Sequence, residues 1–295
     1  MISRVTAQSM TQASLRHLQT NLSELAKLQE KATSQRAFLS PSENPSAAAA
    51  TLALHAEQGR NEQYARNIDD ALAWVTTADQ AIASSVTLMD RVRTLTLQGA
   101  NDGALDATAK EAIAVELEAI RDELLASANT RLLGRSVFAG TSDAASAFDA
   151  AGYAYNGVPG SEVTRRVGPG VSVRVDADGA AVFGTGDDSA FALIDRIVAD
   201  LRGGVNVGGH VAAIDDRTTA MLSAQGAVGA RQAQIERAQE VVVDQSVSLE
   251  TRRAAVEDVD TVEVLVQLKA QELVYQSSLQ VTSRVLQPTL LDFLA

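Results

Sequence analysis

No cysteine occurs among the 295 residues, so neither a disulfide nor a thiolate metal site is possible. That absence fits cytosol and exterior equally. Aromatic residues make up only 4% of the chain, and alanine, valine and leucine carry most of the apolar content. Such small side chains suit thin helical packing with many contacts better than one thick core. Basic residues are in deficit, 25 against 37 acidic, for a net charge of −12 and a pI near 4.7. A nucleic-acid partner is therefore not expected. No run approaches the roughly 18 apolar residues that a membrane span needs, which argues against membrane insertion. The opening "MISRVTAQSM" has no basic stretch leading into an apolar one. It does not read as a cleavable secretion signal, so export would use another route.

Catalytic patterns are equally scarce. There is no G-x-S-x-G and no P-loop, and "FGTGDD" lacks both the third glycine and the preceding βαβ context of a dinucleotide site. His17, His55 and His210 are far apart and none has a His or Cys partner at helical spacing. Counting twelve residues of a calcium loop from Asp176 in "DADG" reaches Asp187, where a glutamate is required, so a tight turn is the better reading. The acid pairs Asp69-Asp70, Asp187-Asp188 and Asp215-Asp216 read as solvated faces or helix caps, and Trp74 as packing. No metal, cofactor or catalytic residue is assigned, and an enzyme is not expected.

What the chain does contain is helical rhythm. Leu15, Leu18, Leu22 and Leu25 are spaced 3-4-3, a coiled-coil seam, and Leu28 widens it. In "SPSENPS" two prolines, Pro41 and Pro45, then break the helix sharply, and Ser46 is placed to cap the next. That second helix is predicted over residues 47–97, a rod of roughly 75 Å at 1.5 Å per residue. Its stripe runs through Ile68, Leu72, Val75, Ile82, Val86 and Met89. "QGANDGALDATAKE" is a turn, with Thr108 and Glu111 matching a capping box. A helix carrying Ile113, Leu117, Ile120 and Leu124 folds back to Gly134.

From Gly134 to Asp188 the helical period vanishes. "GYAYNG" reads as a strand into a turn, and "VSVRV" alternates cleanly. "DADG" would turn the chain into a further strand, "AAVFG", to complete a small β-meander. Helix resumes with Phe191, Ile194, Val198 and Leu201, capped by Asp188 or Ser189 and stopped by Gly203-Gly204. Ile214, Met221, Val228, Ile235, Val242, Leu249 and Val256 then recur every seven residues, the sign of a left-handed supercoil with a partner helix. Its companion positions Thr218, Gln225, Gln232, Gln239 and Ser246 are polar, which costs stability and fixes register. A last stripe includes Leu265, Leu268, Leu273, Leu279 and Leu286 before Pro288 and an apolar tail.

The two ends carry opposite charge. Arg4, Arg16, Lys27, Lys31 and Arg36 against Glu24 and Glu30 give the first 36 residues +3. Glu257, Asp258, Asp260, Glu263, Glu272 and Asp292 against Lys269 and Arg284 give residues 256–295 −4. The ends are expected to pair, charge setting direction and apolar burial holding them. Two outcomes stay open: arms ordered only within an assembly, or an intramolecular bundle with ordered ends.

These residues carry a likeness. The first 50, through the Pro-Ser-acidic-Asx-Pro turn, resemble the amino-terminal arm of bacterial flagellins. Glu257-Asp258-Val259-Asp260 and "QELVYQSSLQVTSRVLQPTLLDFL" resemble the closing arm. "GRSVFAGTSDAASAF" is most similar to the hook-associated protein 3 branch, although Val137 stands where an aromatic is usual. The resemblance implies a mainly α fold, a discontinuous helical rod with terminal coiled-coil arms and a small inserted β-rich domain. The expected divisions are arms at 1–40 and 257–295, a rod at 41–133 and 189–256, and an outer domain at 134–188. It further implies a structural subunit of the flagellum at the hook–filament junction. Such a subunit is exported unfolded through the flagellar type III channel without a cleaved signal peptide. Its expected partners are itself in a ring or helical layer, another hook-associated protein, flagellin and an export chaperone. The candidate assembly residues are Leu15, Leu18, Leu22 and Leu25 with Leu265, Leu268, Leu273, Leu279 and Leu286. The alternatives are a flagellin of the filament itself or a soluble coiled-coil signalling module.

Overall fold

The computed structural model describes residues 2–101, 106–158 and 160–286, with side chains from residue 9 to 284. Among the described residues, seven α-helices span Ile2–Ser34 (α1), Pro45–Gly99 (α2), Ala107–Ala128 (α3), Gly179–Phe183 (α4), Ala190–Arg202 (α5), Val211–Glu257 (α6) and Thr261–Leu286 (α7). Among the same residues, four short strands, Arg131–Leu132 (β1), Arg135–Ser136 (β2), Thr164–Gly168 (β3) and Val171–Arg174 (β4), pair as two antiparallel hairpins, β1-β2 and β3-β4. The fold is mainly α, with long helices at both ends of the sequence and a small β region between them. Among the described residues no helix is long and apolar enough to cross a membrane.

The chain forms two compact units. One holds residues 60–245; the other joins residues 1–59 to 246–295. In the first, α6 shows why a seven-residue repeat was there. Ile214, Met221, Val228, Ile235 and Val242 are all buried, against Ile68, Val75, Ile82 and Met89 of α2 in one core. Trp74 belongs to that core as packing. Each such side chain contributes about 1.5–3 kcal/mol through removal from water. Asn61 Nδ2 donates to the Val242 carbonyl at 2.9 Å and fixes the level of α2 against α6. Helix α3 packs on α5, where Arg202 grips Glu111 at 2.8 Å and Glu118 at 2.7 Å.

Six of the eleven aromatics, Phe138, Phe148, Tyr153, Tyr155, Phe183 and Phe191, gather in one place. Phe138 meets Phe183 edge-on at 5.2 Å, and Phe148 meets Phe191 at 5.4 Å. This cluster gives the segment after α3 a core that alternating strands alone would not supply.

Several local expectations are corrected. "AAVFG" is helix α4, because the Asp178 side chain accepts from the Ala180 N–H and caps it. "DADG" is therefore no hairpin turn. Its Asp176 is buried, accepts from the Val163 N–H at 2.8 Å and from Arg174 Nε at 2.9 Å, and anchors the β3-β4 hairpin. "GYAYNG" forms only a single bridge, Phe148 to Tyr155, rather than a strand. Asp106, not Thr108, caps α3 by accepting from the Ala109 N–H, which leaves Glu111 for Arg202. Asn44, not Ser46, caps α2 by accepting from the Ala47 N–H at 3.0 Å, with Pro45 in the first helical position. Ser189 caps α5 as expected, accepting from the Ala192 N–H.

Candidate assembly interface

In the unit built from both ends, α1 lies against α7. The face between them keeps a seven-residue rhythm with mixed chemistry. On α1 the half-buried positions are Ser14, Leu18, Asn21, Leu25, Leu28 and Ala32. On α7 the matching stripe is Val264, Leu268, Gln271, Tyr275, Ser278 and Thr282. Both follow 3-4 spacing, as facing helices of a coiled coil do. Asn21 Nδ2 donates to Ser278 Oγ at 2.8 Å, and Gln271 Nε2 donates to the Asn21 carbonyl at 3.2 Å. Amide and hydroxyl groups in a seam give up stability and select one register.

The leucines expected to form one seam are divided by it. Leu18, Leu25 and Leu268 sit in the α1–α7 face. Leu15 and Leu22 are 47% and 48% exposed, and Leu265, Leu273 and Leu279 are exposed as well. Val262, Val266 and Val281 join them on the outside of α7. Leu286 ends α7, and its side chain lies outside the described residues. The reason is geometric. At 3.6 residues per turn, positions 15 and 22 share one face while 18 and 25 share its neighbour. The helix pair thus turns polar groups inward and a good part of its aliphatic surface outward. Large exposed apolar surface is the mark of a protein contact site.

Charge acts more locally than expected. Among the described residues no ion pair joins α1 to α7. Lys27 pairs with Glu24 at 3.4 Å, Lys31 with Glu43 at 3.6 Å and Lys269 with Glu272 at 2.9 Å.

A backbone clasp joins the two breaks between helices. The Ala37 N–H donates to the Glu257 carbonyl at 2.8 Å, and the Val259 N–H donates to the Gln35 carbonyl at 3.1 Å. Gln35 reaches this position through a left-handed conformation, φ 56°. Arg253 spans Glu250, Glu257 and Asp258 at 2.8, 2.8 and 3.2 Å. The Arg253 hydrogen bond, aided by the nearby His55 and Arg36, holds the largely buried Glu257 carboxyl below its ordinary range. The Leu39 N–H does the same for Glu43, with help from Lys31. Asp260 accepts from the N–H groups of Val262 and Glu263 at 2.9 and 3.2 Å and starts α7. Of the acids in Glu257-Asp258-Val259-Asp260, the first two therefore share Arg253 and the third caps α7. Counting polar positions along with apolar ones from residue 14 to 32 would have exposed the Asn21 stripe. No sequence pattern pointed to the backbone clasp.

No group of three or more histidine, aspartate or glutamate side chains among the described residues is arranged to hold a metal ion. His210 instead contacts Asp200 at 2.6 Å.

Comparison with known proteins agrees with this architecture. Residues 5–143 match the bacterial flagellin N-terminal helical region, and residues 211–294 match the bacterial flagellin C-terminal helical region. Flagellar hook-associated protein 3 of Salmonella typhimurium is 28% identical over 213 residues, 68% of this chain and 67% of that protein. Its counterpart in Escherichia coli is 26% identical over 222 residues, 74% of this chain. The chain spans about two thirds, 66%, of that Escherichia coli relative. In fold, a flagellar hook-associated protein from Vibrio parahaemolyticus superposes with a TM-score of 0.68 at 22% identity, covering 73% of this chain and all of that one. The flagellar junction protein FlgL of Legionella pneumophila superposes with a TM-score of 0.57 at 17% identity, covering 70% of this chain and 100% of that one. The two matched regions together cover about three quarters of the sequence and take in both members of the α1–α7 pair. The chain belongs to the bacterial flagellin family.

Proposed function

We propose that this chain is a structural, non-catalytic subunit of the bacterial flagellum that forms the hook–filament junction, polymerising through its terminal helical arms. The observation that carries the reading is the division of chemistry on α1 and α7: Asn21, Gln271 and Ser278 inside, Leu15, Leu22, Leu265, Leu273 and Leu279 outside. A pair that keeps aliphatic surface outward is completed by neighbours of the same kind. The hook-associated names of its relatives favour the junction over the filament. In this reading residues 1–40 and 257–295 are the arms, 41–133 and 189–256 the rod and 134–188 the outer domain. The partners are further copies in a ring or helical layer, a second hook-associated protein and flagellin. An export chaperone would hold the chain before passage through the flagellar channel without a cleaved signal. The place of action is the flagellum outside the cell, with no role for nucleic acid or membrane insertion.

The test is deletion of residues 1–36 or 257–295. The shortened chains are expected to keep a cooperative melt of residues 60–245 and to be absent from flagella. Normal filaments on such a strain would end the proposal. A second reading, flagellin proper, draws on the family regions matched at both ends. Purified chain added to filament seeds separates the two: a capped layer supports the junction, continued growth the filament.

A further inference from the structure

The most exposed large apolar side chain among the described residues is Leu133, at 86%. It occupies the first corner of the β1-β2 turn with φ 48°, followed by Gly134 at φ 84°. Two positive φ angles in a two-residue hairpin turn normally select Asn-Gly. A leucine there works against its backbone preference and gains nothing by burial in its own chain. A residue placed against both local preferences is one retained for what it meets. The tip is also stiff. Arg131 donates to the Gly134 carbonyl, the Val137 N–H donates to the Thr130 carbonyl at 3.1 Å, and Phe138 roots the hairpin in the aromatic cluster.

The unit of joined ends offers a complementary hollow. An apolar groove of about 480 Å³ runs beside the proline break, lined by Phe38, Leu39, Pro41, Pro45 and Leu52. Leu52 is 71% exposed. Thr51 also lines the groove; it is buried, and its hydroxyl has no hydrogen-bond partner among the described residues. Arg36 and Glu257 close one side, and both also take part in the clasp between the arms, so the groove is continuous with the assembly interface. Arg131 and Arg135 flank the leucine on the hairpin, while Glu43 and Asp258 stand near the groove.

We infer that Leu133 of one copy seats in the groove beside Pro41–Pro45 of a second copy. The inference rests on the polymerising role proposed above and names a contact of that polymer. Knob and hollow lie in different parts of the same sequence, so one copy can use the two on different neighbours, a head-to-tail contact. In that arrangement each copy offers a knob to one neighbour and a hollow to another, and repetition generates a layer. The stiff turn brings its aliphatic tip with little ordering cost.

The natural absence of cysteine makes the test direct. Flagella carrying the full chain with both Leu133→Cys and Leu52→Cys are oxidised and run without reductant. A ladder of dimers and higher species is expected, with none from Leu133→Cys alone or from Leu133→Cys with Leu222→Cys. Incorporation without a ladder, or an equal ladder from the control pair, overturns the contact. If the double variant fails to incorporate, Leu133→Ala decides. Its incorporation is expected to fall roughly tenfold, in the range of a lost apolar anchor, and wild-type incorporation would overturn the contact. Absence of the unmodified chain from flagella would instead defeat the junction role, which separates the two failures.

Discussion

Helix α6 and the α1–α7 pair share a seven-residue rhythm and use it in opposite ways. On α6, Ile214, Met221 and Ile235 are fully buried in a core that residues 60–245 complete on their own. On α1 and α7 the repeat holds Asn21, Gln271 and Ser278, and the exposed leucines lie off it. Periodicity therefore reports that a helix has a partner. The chemistry at the repeated position reports whether that partner holds most of the binding energy or mainly fixes alignment. In the assembling role proposed above, a subunit of this kind would profit from having one of each.

The comparison is broken most severely in the first region. Ile235→Ala removes fully buried methyl groups and is expected to destabilise residues 60–245 by about 2–5 kcal/mol, read from the denaturant midpoint at constant slope. An unchanged midpoint would mean that α6 is not the core helix described. An intermediate effect is expected at the clasp. Glu257 has a lowered pKa in the folded chain, so its stabilisation is present above the ordinary glutamate value of 4.5 and is lost as pH falls below it, through the folded value. Protection of residues 1–59 against proteolysis should decline over that acid range, and Glu257→Gln should lower protection at neutral pH and flatten the decline. A profile identical to wild type would remove Arg253–Glu257 from the account. The smallest stability effect is on the outer face. Leu22→Ser should shift the unfolding free energy by no more than about 0.5 kcal/mol, yet reduce incorporation into flagella. A large stability loss would place Leu22 inside the single chain after all.

Much of this was legible beforehand. The α6 repeat, the α2 stripe, the break at Pro41–Pro45 and the Ser189 cap follow from spacing and from residues with one strong local preference. The division of the leucines was not. The run Leu15, Leu18, Leu22, Leu25 straddles two adjacent helix faces, and an apolar count cannot tell which one a polar partner will cover. The middle of the chain failed for a different reason. Glycine density suggested turns between strands, but Asp178 offers a side-chain cap, and Phe183 is pulled into an aromatic cluster assembled from distant positions. Tertiary burial of that kind overrides local preference. The Asn44 and Asp106 caps were missed by two residues, since serine, threonine, asparagine and aspartate compete nearly equally for the same role.

The clasp ties together two connectors of unequal length. Residues 35–44 link α1 to α2, whereas only residues 258–260 link α6 to α7. The longer strap has slack to absorb an insertion without disturbing either helix. The shorter one has none, and one added residue would turn α7 by about 100° about its own axis, replacing Gln271 and Ser278 opposite Asn21 with Ala270 and Ser277 and breaking the Gln271 hydrogen bond. Drift in sequence length at this joint is thereby policed from one side only, and the three-residue connector acts as the molecule's gauge.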